Sequence, residues 1–353
     1  MEPPLDITAS PELFPLVLDV AADRVAMVRL SEARYRDFSF LDERILPQVQ
    51  PPTWTPWTEL EAAAGALAGE SDFIFHIGHV GSTLLSRLLG ASDRVFCVRE
   101  PAILRTLAGM APEVAAPGSP WADEDFQRRL DVLLRLWART WRPSQKSLVK
   151  ATSFVSEIAP LILARSPTAK AILMYVSPRV YLATILGGPN SRVELKITAP
   201  TRLARLHRRL GRSAWRLGDL GEGEMAAMGW ACEVMALAAV AAAFPDRVLW
   251  LDFEAFLARP AEALTAVLRR LHGDAREDEV AAMLRSPDLG RYSKAPEHAY
   301  DADLRRRVLA QARAEHGEDI ERGVAWLNAA GSAHRAIGDA ARMLAAAARG
   351  GVP

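Results

Sequence analysis

Short apolar runs alternate with amphipathic segments along most of this chain. Five runs have the length and composition of strands in a sheet that is buried on both faces, and they are 73–77, 94–98, 147–150, 171–176 and 248–252. Between them, apolar residues recur at helical spacing, for example Leu130, Leu133 and Trp137. This alternation predicts an α/β fold. We expect three layers, with a mainly parallel sheet of about five strands between helices on both faces.

The pattern differs at the two ends of the chain. Residues 1–70 mix a short apolar run with a proline-rich stretch that contains Trp54 and Trp57. We expect residues 1–70 to form an N-terminal segment that packs as a cap on a main domain at residues 71–328. Alternatively, the two tryptophans form a ligand platform. Residues 329–353 are rich in alanine, and we expect them to form a peripheral tail.

Composition narrows the classes of function. The chain has 353 residues, 50% of them hydrophobic, and its 43 Lys and Arg balance its 43 Asp and Glu. A neutral chain gives no sign of binding nucleic acid or a membrane surface, so we expect neither as a partner. Cys97 and Cys232 stand at apolar positions, which favours a reducing compartment over a disulfide framework. The N-terminus lacks the basic and apolar regions of a signal peptide, and we expect a cytoplasmic protein.

One segment, Met225 to Phe244, is long and apolar enough to be considered as a membrane span. It carries Glu233 in its middle, contains many alanines and lacks a basic flank on its N-terminal side. These features favour a buried helix against the sheet, and we expect no membrane span.

The first apolar run leads into a glycine-containing turn and then a helical pattern. The turn and the two hydroxyl residues after it, which we call the cradle, are Gly78, His79, Val80, Gly81, Ser82 and Thr83. Glycines let the backbone approach a phosphate, and the first N–H groups of a helix point at an anion bound there. The spacing lacks the Gly-Lys-Ser/Thr of a Walker A loop, so it predicts a smaller anion site. The alternative is a plain strand–turn–helix with Ser82 as its N-cap.

Glu100 follows the second predicted strand, and Lys150 ends the third. In open parallel sheets, ligands bind just outside the carboxyl ends of the strands, so we expect Glu100 beside the anion. Alternatively, Glu100 is structural, paired with Arg99 or Arg105 or placed at a helix start. His76 lies inside the first strand and is expected to be a packed, hydrogen-bonded core residue. The histidines are scattered without ligand spacing, so no metal is predicted.

Residues 190–220 are strongly basic. They contain two acidic residues and eight basic ones, namely Arg192, Lys196, Arg202, Arg205, Arg208, Arg209, Arg212 and Arg216. Such a run usually forms a solvated helix face. The asymmetry also fits a lid or cleft wall that faces an anionic ligand, and both interpretations stay open.

Five features in this order resemble the sulfotransferase family, whose members use 3′-phosphoadenosine-5′-phosphosulfate (PAPS). The cradle stands in the place of the family's 5′-phosphosulfate loop, and Glu100 takes the place of a glutamate base found in several branches. The other three features are Leu148-Val149-Lys150 before a helix, the strand–helix element from Ile172 to Thr184, and Val248 to Glu254 followed by Arg259-Pro260. The resemblance covers about residues 71–300 and is that of a divergent, bacterial-type member.

The resemblance implies a P-loop-like fold and in-line transfer of a sulfuryl group from PAPS, as co-substrate, to a hydroxyl or amine of an acceptor. Glu100 would act as the base, and His79 and Lys150 would neutralise charge on the leaving oxygen. The backbone and hydroxyls of the cradle would hold the 5′-phosphosulfate. Thr184 and Arg179 would lie near the 3′-phosphate, and no metal is implied.

Three positions depart from the family pattern, and one of them is Phe253, which replaces a tyrosine. His79 stands where the family usually has Lys or Arg, and Val176 or Ser177 stands where it has its 3′-phosphate arginine. The cations that could supply this missing charge from another direction are Arg179, Lys150 and Lys294.

These departures leave two other functions open. One is a phosphotransferase on a related loop, with Asp252 as a candidate magnesium ligand. The other is a non-catalytic nucleotide-binding protein that keeps the fold but lacks the cations.

Overall fold

The computed structural model describes residues 7–8, 10–114, 116–291 and 302–349.

The N-terminal part of the protein forms a small antiparallel sheet. The strands of this sheet are β1 (Leu13–Asp19), β2 (Arg24–Arg29) and β3 (Thr53–Pro56), which lie in that order. With α1 (Glu32–Asp37) and α2 (Trp57–Ala64), they make up what we call the N-terminal unit, residues 10–64.

The main domain is built on a second sheet of five strands. They are β4 (Asp72–His76), β5 (Val95–Arg99), β6 (Lys146–Lys150), β7 (Ala171–Tyr175) and β8 (Val248–Asp252). The strands lie in the order β5-β6-β4-β7-β8, and every neighbouring pair is parallel. All residues of β4, β5 and β7 are buried, as expected for strands that are covered on both faces. The predicted parallel sheet of an α/β fold is confirmed.

Helices flank this sheet. Those between β4 and α9 are α3 (Ser82–Leu89), α4 (Ala102–Met110), α5 (Asp123–Trp137), α6 (Ala159–Arg165), α7 (Pro178–Gly187) and α8 (Pro189–Leu210). The remaining helices are α9 (Glu222–Ala243), α10 (Phe253–Ala258), α11 (Pro260–His272), α12 (Glu277–Leu284), α13 (Ala302–Glu315), α14 (Gly317–Ala333) and α15 (Arg335–Arg349). Helix α3 packs against β4, β5 and β6, whereas α9 packs against β4 and several other helices.

The long apolar helix α9 lies inside the protein. Its length and composition would allow it to cross a membrane, but 83% of its most apolar stretch is buried by the rest of the fold. Glu233, in its middle, accepts hydrogen bonds from Arg202 and Arg205 of α8. These guanidiniums compensate a carboxylate that is too costly to bury alone. The predicted buried helix is confirmed.

The basic segment at 190–220 is dominated by α8, which packs on α7 and α9. Many of its cations have acidic partners outside the segment: Arg202 and Arg205 pair with Glu233, Arg205 and Arg209 with Glu157, and Arg192 and Lys196 with Glu222. Burial raises the pKa of Glu157, but Arg205 and Arg209 outweigh it and lower that pKa below its usual value. The fold therefore neutralises much of the positive charge that the sequence shows here.

The N-terminal unit is fixed to the main domain through the end of β5. The Arg99 side chain is 2% exposed and donates to the carbonyl oxygens of Tyr35 and Phe38. The Leu41 N–H donates to the Arg99 carbonyl at 2.8 Å, and the Leu41 carbonyl accepts from the Ala102 N–H at 3.1 Å. Leu41 is thus hydrogen-bonded to the main chain before Glu100, at Arg99, and after it, at Ala102.

The two tryptophans of the N-terminal unit do not form a shared ligand platform. Trp57 is 4% exposed and packs under the Arg129 guanidinium at 4.5 Å. Trp54 is 42% exposed and is covered by Arg24 at 4.4 Å. Their contacts fit core packing and a surface cation–π pair.

The predicted boundary between residues 328 and 329 falls inside α14. The alanine-rich residues that follow continue into α15, which buries Ile337, Ala340 and Leu344. This helix packs against α9 and α14. The small side chains of the segment therefore serve helix packing, and the segment is joined to the main domain.

His272, the last residue of α11, is expected to make the stability of the fold sensitive to mild acid. Burial and the nearby Arg94 lower the pKa of His272 to about 4. Because the pKa in the folded protein lies below the unfolded value of about 6.5, protonation favours unfolding. This contribution to stability is complete above about pH 6.5 and is lost as the pH falls towards about 4.

We therefore expect His272→Gln to reduce the fall in melting temperature between about pH 7 and about pH 5 by about 2 °C. Scanning calorimetry of both proteins at the two pH values measures it. Carboxylates titrate mainly below this window, so they affect the comparison little. An equal fall in both proteins would contradict the assignment.

Candidate functional site

A cavity of about 960 Å³ opens at the carboxyl ends of the parallel strands. Its walls come from the chain after β4, β5, β6 and β8, from the helices α7, α8 and α13, and from the N-terminal unit. The predicted site residues that line it are Gly78, His79, Val80, Gly81, Ser82, Thr83, Glu100, Lys150 and Thr184. The fold therefore brings most of the predicted site together in one place.

The turn of the cradle has an unusual backbone. The φ angle is +88° at Gly78, +55° at His79 and +66° at Gly81. A Cβ atom on Gly81 would lie 2.0 Å from the ring of Phe253, so this position has room for glycine alone. The ring thereby excludes a side chain at residue 81, and a backbone without a side chain allows close approach of an anion.

The cradle ends in the N-terminus of α3. Gly81 is the N-cap of this helix and has no side chain that could cap it, and Ser82 is the first helical residue. The alternative of a plain strand–turn–helix gave Ser82 as the N-cap, and this detail of it is wrong. The first N–H groups of a helix have no acceptor within it, and those of Ser82, Thr83 and Leu84 belong to residues that line the cavity. This is the arrangement that binds anions at helix N-termini.

Lys150 connects the cradle to Glu100. Its ammonium donates to Thr83 Oγ1 at 3.0 Å and to a carboxylate oxygen of Glu100. The Lys150 and Glu100 side chains are 1% and 11% exposed. An ammonium this deeply buried needs such partners, because an unpaired charge in the interior is costly. A carboxylate, an ammonium and a hydroxyl thus meet beside the predicted anion site.

The backbone of Glu100 is held in a left-handed conformation, with φ at +51°. This conformation costs a non-glycine residue about 1–2 kcal/mol. The Glu100 N–H donates to the Lys150 carbonyl oxygen at 2.6 Å, and Leu41 is hydrogen-bonded to Arg99 and to Ala102. These hydrogen bonds hold the strained residue in place. Strain of this kind is common at functional sites.

The N-terminal unit adds residues to the site that the sequence analysis missed. The Phe40 ring lies 5.4 Å from the Lys150 ammonium and 3.7 Å from the Arg44 guanidinium carbon. Arg44 and Arg105 both pair with Asp42. All of these side chains line the cavity. Arg105 belongs to α4, and the others lie between Phe38 and Leu46, where the mixture of aromatic and charged residues was the one signal that could have indicated them.

The two histidines near the cradle differ in their surroundings. His76 is buried, and its Nδ1 accepts a hydrogen bond from the Gly78 N–H at 3.0 Å, which confirms the predicted packed residue. The His79 side chain is 18% exposed, and its Nε2 lies 3.5 Å from Glu194 Oε2 on α8. His79 is a cation only when it is protonated, and otherwise its ring can act as a neutral hydrogen-bond donor.

The residues predicted near the 3′-phosphate do not come together. Thr184 lines the cavity, and its hydroxyl donates to the Val180 carbonyl at 2.7 Å. Arg179 does not line the cavity, because its guanidinium pairs with Glu321 on α14. Arg179 and Thr184 are five positions apart in α7, which turns them about 140° apart around the helix. Lys294 lies outside the described residues.

Other candidate groups have structural roles. Asp252 caps α10 by accepting hydrogen bonds from the N–H groups of Glu254 and Ala255, and burial raises the pKa of its carboxyl. Cys97 and Cys232 are buried and unbridged, and burial raises their pKa values to about 11 and about 12. Within the ranges that the structure describes, no group of three or more His, Cys, Asp or Glu is placed to hold a metal ion.

The central strand β4 divides the cavity into two halves. The β5–β6 half contains Glu100, Lys150 and Phe40, whereas the β7–β8 half contains Phe253 and Arg305. The cradle follows β4 and lies between the two halves. A ligand anchored in the cradle can therefore extend to one side and leave the other side open.

Several solved structures similar to this chain are sulfotransferases. The sulfotransferase domain from the curacin biosynthetic pathway is 14% identical, with 71% of this chain and 99% of that domain covered and a TM-score of 0.41. Sulfotransferase STF9 from Mycobacterium avium is 12% identical, with 73% and 80% covered and a TM-score of 0.40. Mouse sulfotransferase SULT7A1, in complex with PAP, is 12% identical, with 78% and 94% covered and a TM-score of 0.36.

No protein-family model and no curated protein sequence matches the chain. At identities of 12–14% and TM-scores of 0.36–0.41, the similarity to these structures is distant. The function therefore has to follow from the side chains of the site itself.

Proposed function

We propose that this protein is a sulfotransferase that transfers a sulfuryl group from PAPS to a hydroxyl or amine of an acceptor. The observation that carries this proposal is the pair of contacts made by Lys150, with Thr83 at the cradle and with Glu100 at the end of β5. In support of the proposal, these contacts join an ammonium and a carboxylate to the cradle. In-line transfer needs these groups together with the positioning that a rigid sheet provides.

In the proposed reaction, an acceptor oxygen or nitrogen forms a bond to sulfur while the bond from sulfur to the bridging phosphate oxygen breaks. Glu100 takes the proton of the acceptor, a role typically worth about 10²–10⁴-fold in rate. The 5′-phosphate leaves in the cradle, where N–H groups, Lys150 and a protonated His79 stabilise its charge. The products are the sulfated acceptor and adenosine-3′,5′-bisphosphate.

We base a proposed assignment of the two halves of the cavity on the position of Glu100. The acceptor has to reach this carboxylate, so we place it in the β5–β6 half, against Phe40. The nucleoside of the donor then extends from the cradle into the β7–β8 half. The cavity, at about 960 Å³, lies at the upper end of the usual range for ligand pockets, about 300–1,000 Å³.

The two other functions have less support. A phosphotransferase would need a carboxylate in the site to hold magnesium, but Asp252 caps α10 and is not among the residues that line the cavity. A non-catalytic nucleotide-binding protein would need neither the buried Lys150–Glu100 pair nor the strained backbone at Glu100. Both features are costly, and catalysis gives a reason to retain them.

Calorimetric titration with adenosine-3′,5′-bisphosphate, beside ATP with magnesium, tests the donor. We expect the bisphosphate to bind and the double variant Ser82→Ala/Thr83→Ala to weaken its binding by about 10-fold or more, because two hydroxyl donors are lost from the cradle. A matched control is Ser191→Ala/Thr201→Ala, which removes the same hydroxyls from the wall formed by α8. We expect the control to change affinity by less than about twofold.

Three outcomes would count against the proposal. Tighter binding of ATP with magnesium would favour phosphoryl transfer. Equal affinity in the cradle variant and the wild type would move the site elsewhere. Failure of the wild type to bind either nucleotide would contradict a nucleotide site at the cradle altogether.

A further inference from the structure

PAPS carries a 3′-phosphate in addition to its phosphosulfate, and a partly buried dianion needs a cation close to it. The positions where the sequence resemblance looks for this cation do not supply it. Val176 is fully buried, and its carbonyl accepts from the Trp230 indole at 3.1 Å. Ser177 is the N-cap of α7. Arg179 faces Glu321, as described above.

Arg305 of α13 has the properties that are needed. It is 5% exposed, it lines the cavity, and its guanidinium lies 4.9 Å from the centre of the Phe253 ring. Its Nε donates to Glu254 at 2.8 Å. Its Nη2 lies 2.7 Å from the same carboxylate but is buried without a hydrogen bond of good geometry. A buried guanidinium with an unused donor points to an acceptor that a ligand supplies.

The Phe253 ring connects Arg305 with the cradle. The Phe253 ring packs against Gly81 so closely that a Cβ there would lie 2.0 Å away. The same ring lies under the Arg305 guanidinium. Arg305 is therefore one aromatic ring away from the cradle, in the half of the cavity that the nucleoside occupies under the proposed function.

We propose that Arg305 recognises the 3′-phosphate of the donor and thereby selects 3′-phosphorylated nucleotides over simple 5′-phosphates. This inference rests on the proposed function. Glu254 holds the guanidinium in position through its hydrogen bond and shares the positive charge with the ligand. Arg305 was not among the predicted site residues, because α13 follows β8 by many residues and carries several other arginines.

The test is a comparison of adenosine-3′,5′-bisphosphate with adenosine-5′-monophosphate by calorimetry. We expect Arg305→Met to weaken binding of the bisphosphate by about 10- to 100-fold and binding of the monophosphate by less than about twofold, because one charge-assisted contact is lost. The matched control is Arg306→Met. Arg306 is the next residue of α13, has a 73% exposed side chain and pairs with Asp303, so we expect no change with either nucleotide.

A second variant is expected to change the affinity for the bisphosphate in the opposite direction. Glu254→Gln keeps a hydrogen-bond acceptor beside Arg305 but removes the competing negative charge. We expect it to tighten binding of the bisphosphate by a few fold and to leave the monophosphate unchanged. A misfolded protein would not produce this gain.

The outcomes separate this inference from the proposed function. If the wild type binds the bisphosphate and the Arg305 and Glu254 variants do so equally well, Arg305 does not read the 3′-phosphate, and the proposed function stands. If Arg305→Met weakens both nucleotides equally, Arg305 supports the cradle and has no selective role. If the wild type does not bind the bisphosphate, both proposals fail.

Discussion

Glu100→Gln is expected to lower the rate of sulfuryl transfer by about 10²–10⁴-fold and to change the affinity for adenosine-3′,5′-bisphosphate by less than about twofold. Glutamine has nearly the same shape and can still accept a hydrogen bond from Lys150, but it cannot take a proton from the acceptor. The rate is measured as bisphosphate released from PAPS in the presence of an acceptor found by screening. Calorimetry gives the affinity.

The variant also removes the counter-charge of a buried ammonium, so its melting temperature has to be measured beside its activity. Glu43→Gln is a matched control, because Glu43 lines the same cavity with a 57% exposed side chain. We expect this control to keep its rate within about twofold. Equal losses of rate and affinity in Glu100→Gln would make Glu100 a structural residue. An unchanged rate would remove it as the base.

Gly81→Ala is expected to abolish nucleotide binding and to lower the free energy of unfolding by about 2–5 kcal/mol. Two costs add up. A φ angle of +66° costs alanine about 1–2 kcal/mol, and a Cβ at 2.0 Å from the Phe253 ring adds the cost of overpacking, about 1–3 kcal/mol. Denaturant titration measures the stability, and calorimetry measures the loss of binding.

Gly211 provides a matched control for the cost of placing alanine at a positive φ angle. Its φ is also +66°, but a Cβ there would meet nothing within 4 Å. Gly211→Ala should therefore cost about 1–2 kcal/mol and leave nucleotide binding unchanged. Adding Phe253→Leu to Gly81→Ala should recover part of the packing term and none of the backbone term. If Gly81→Ala is no less stable than the Gly211 control, the close contact with Phe253 does not constrain the cradle.

The local sequence was sufficient to predict the elements that build the site. The apolar run before Gly78, the glycines and the helical pattern after Thr83 predicted β4, the turn and α3, because these signals come from neighbouring residues. The same holds for Glu100 and Lys150 at the ends of β5 and β6. The carboxyl ends of parallel strands share one edge of a sheet, so their proximity was expected.

The residues that the sequence analysis missed are held in the site by distant elements. Phe40 reaches Lys150 because Arg99 and Leu41 fix the N-terminal unit to the end of β5. Arg305 reaches the cavity because α13 places it over Phe253. Neither contact leaves a local pattern, since an aromatic residue in a loop and an arginine on a charged helix are common on protein surfaces.

The sequence by itself determined the strands, the cradle and the candidate residues at the strand ends, because each depends on the spacing and chemistry of neighbours in the chain. The tertiary structure decided which of these residues meet. Strand order places β6 between β4 and β5, so that Lys150 reaches both Thr83 and Glu100, at 67 and 50 residues' separation. The packing of the helices also turned Arg179 towards Glu321 and paired cations of α8 with distant carboxylates. Such pairings depend on packing between elements, and the periodicity of a single segment carries no information about its partner.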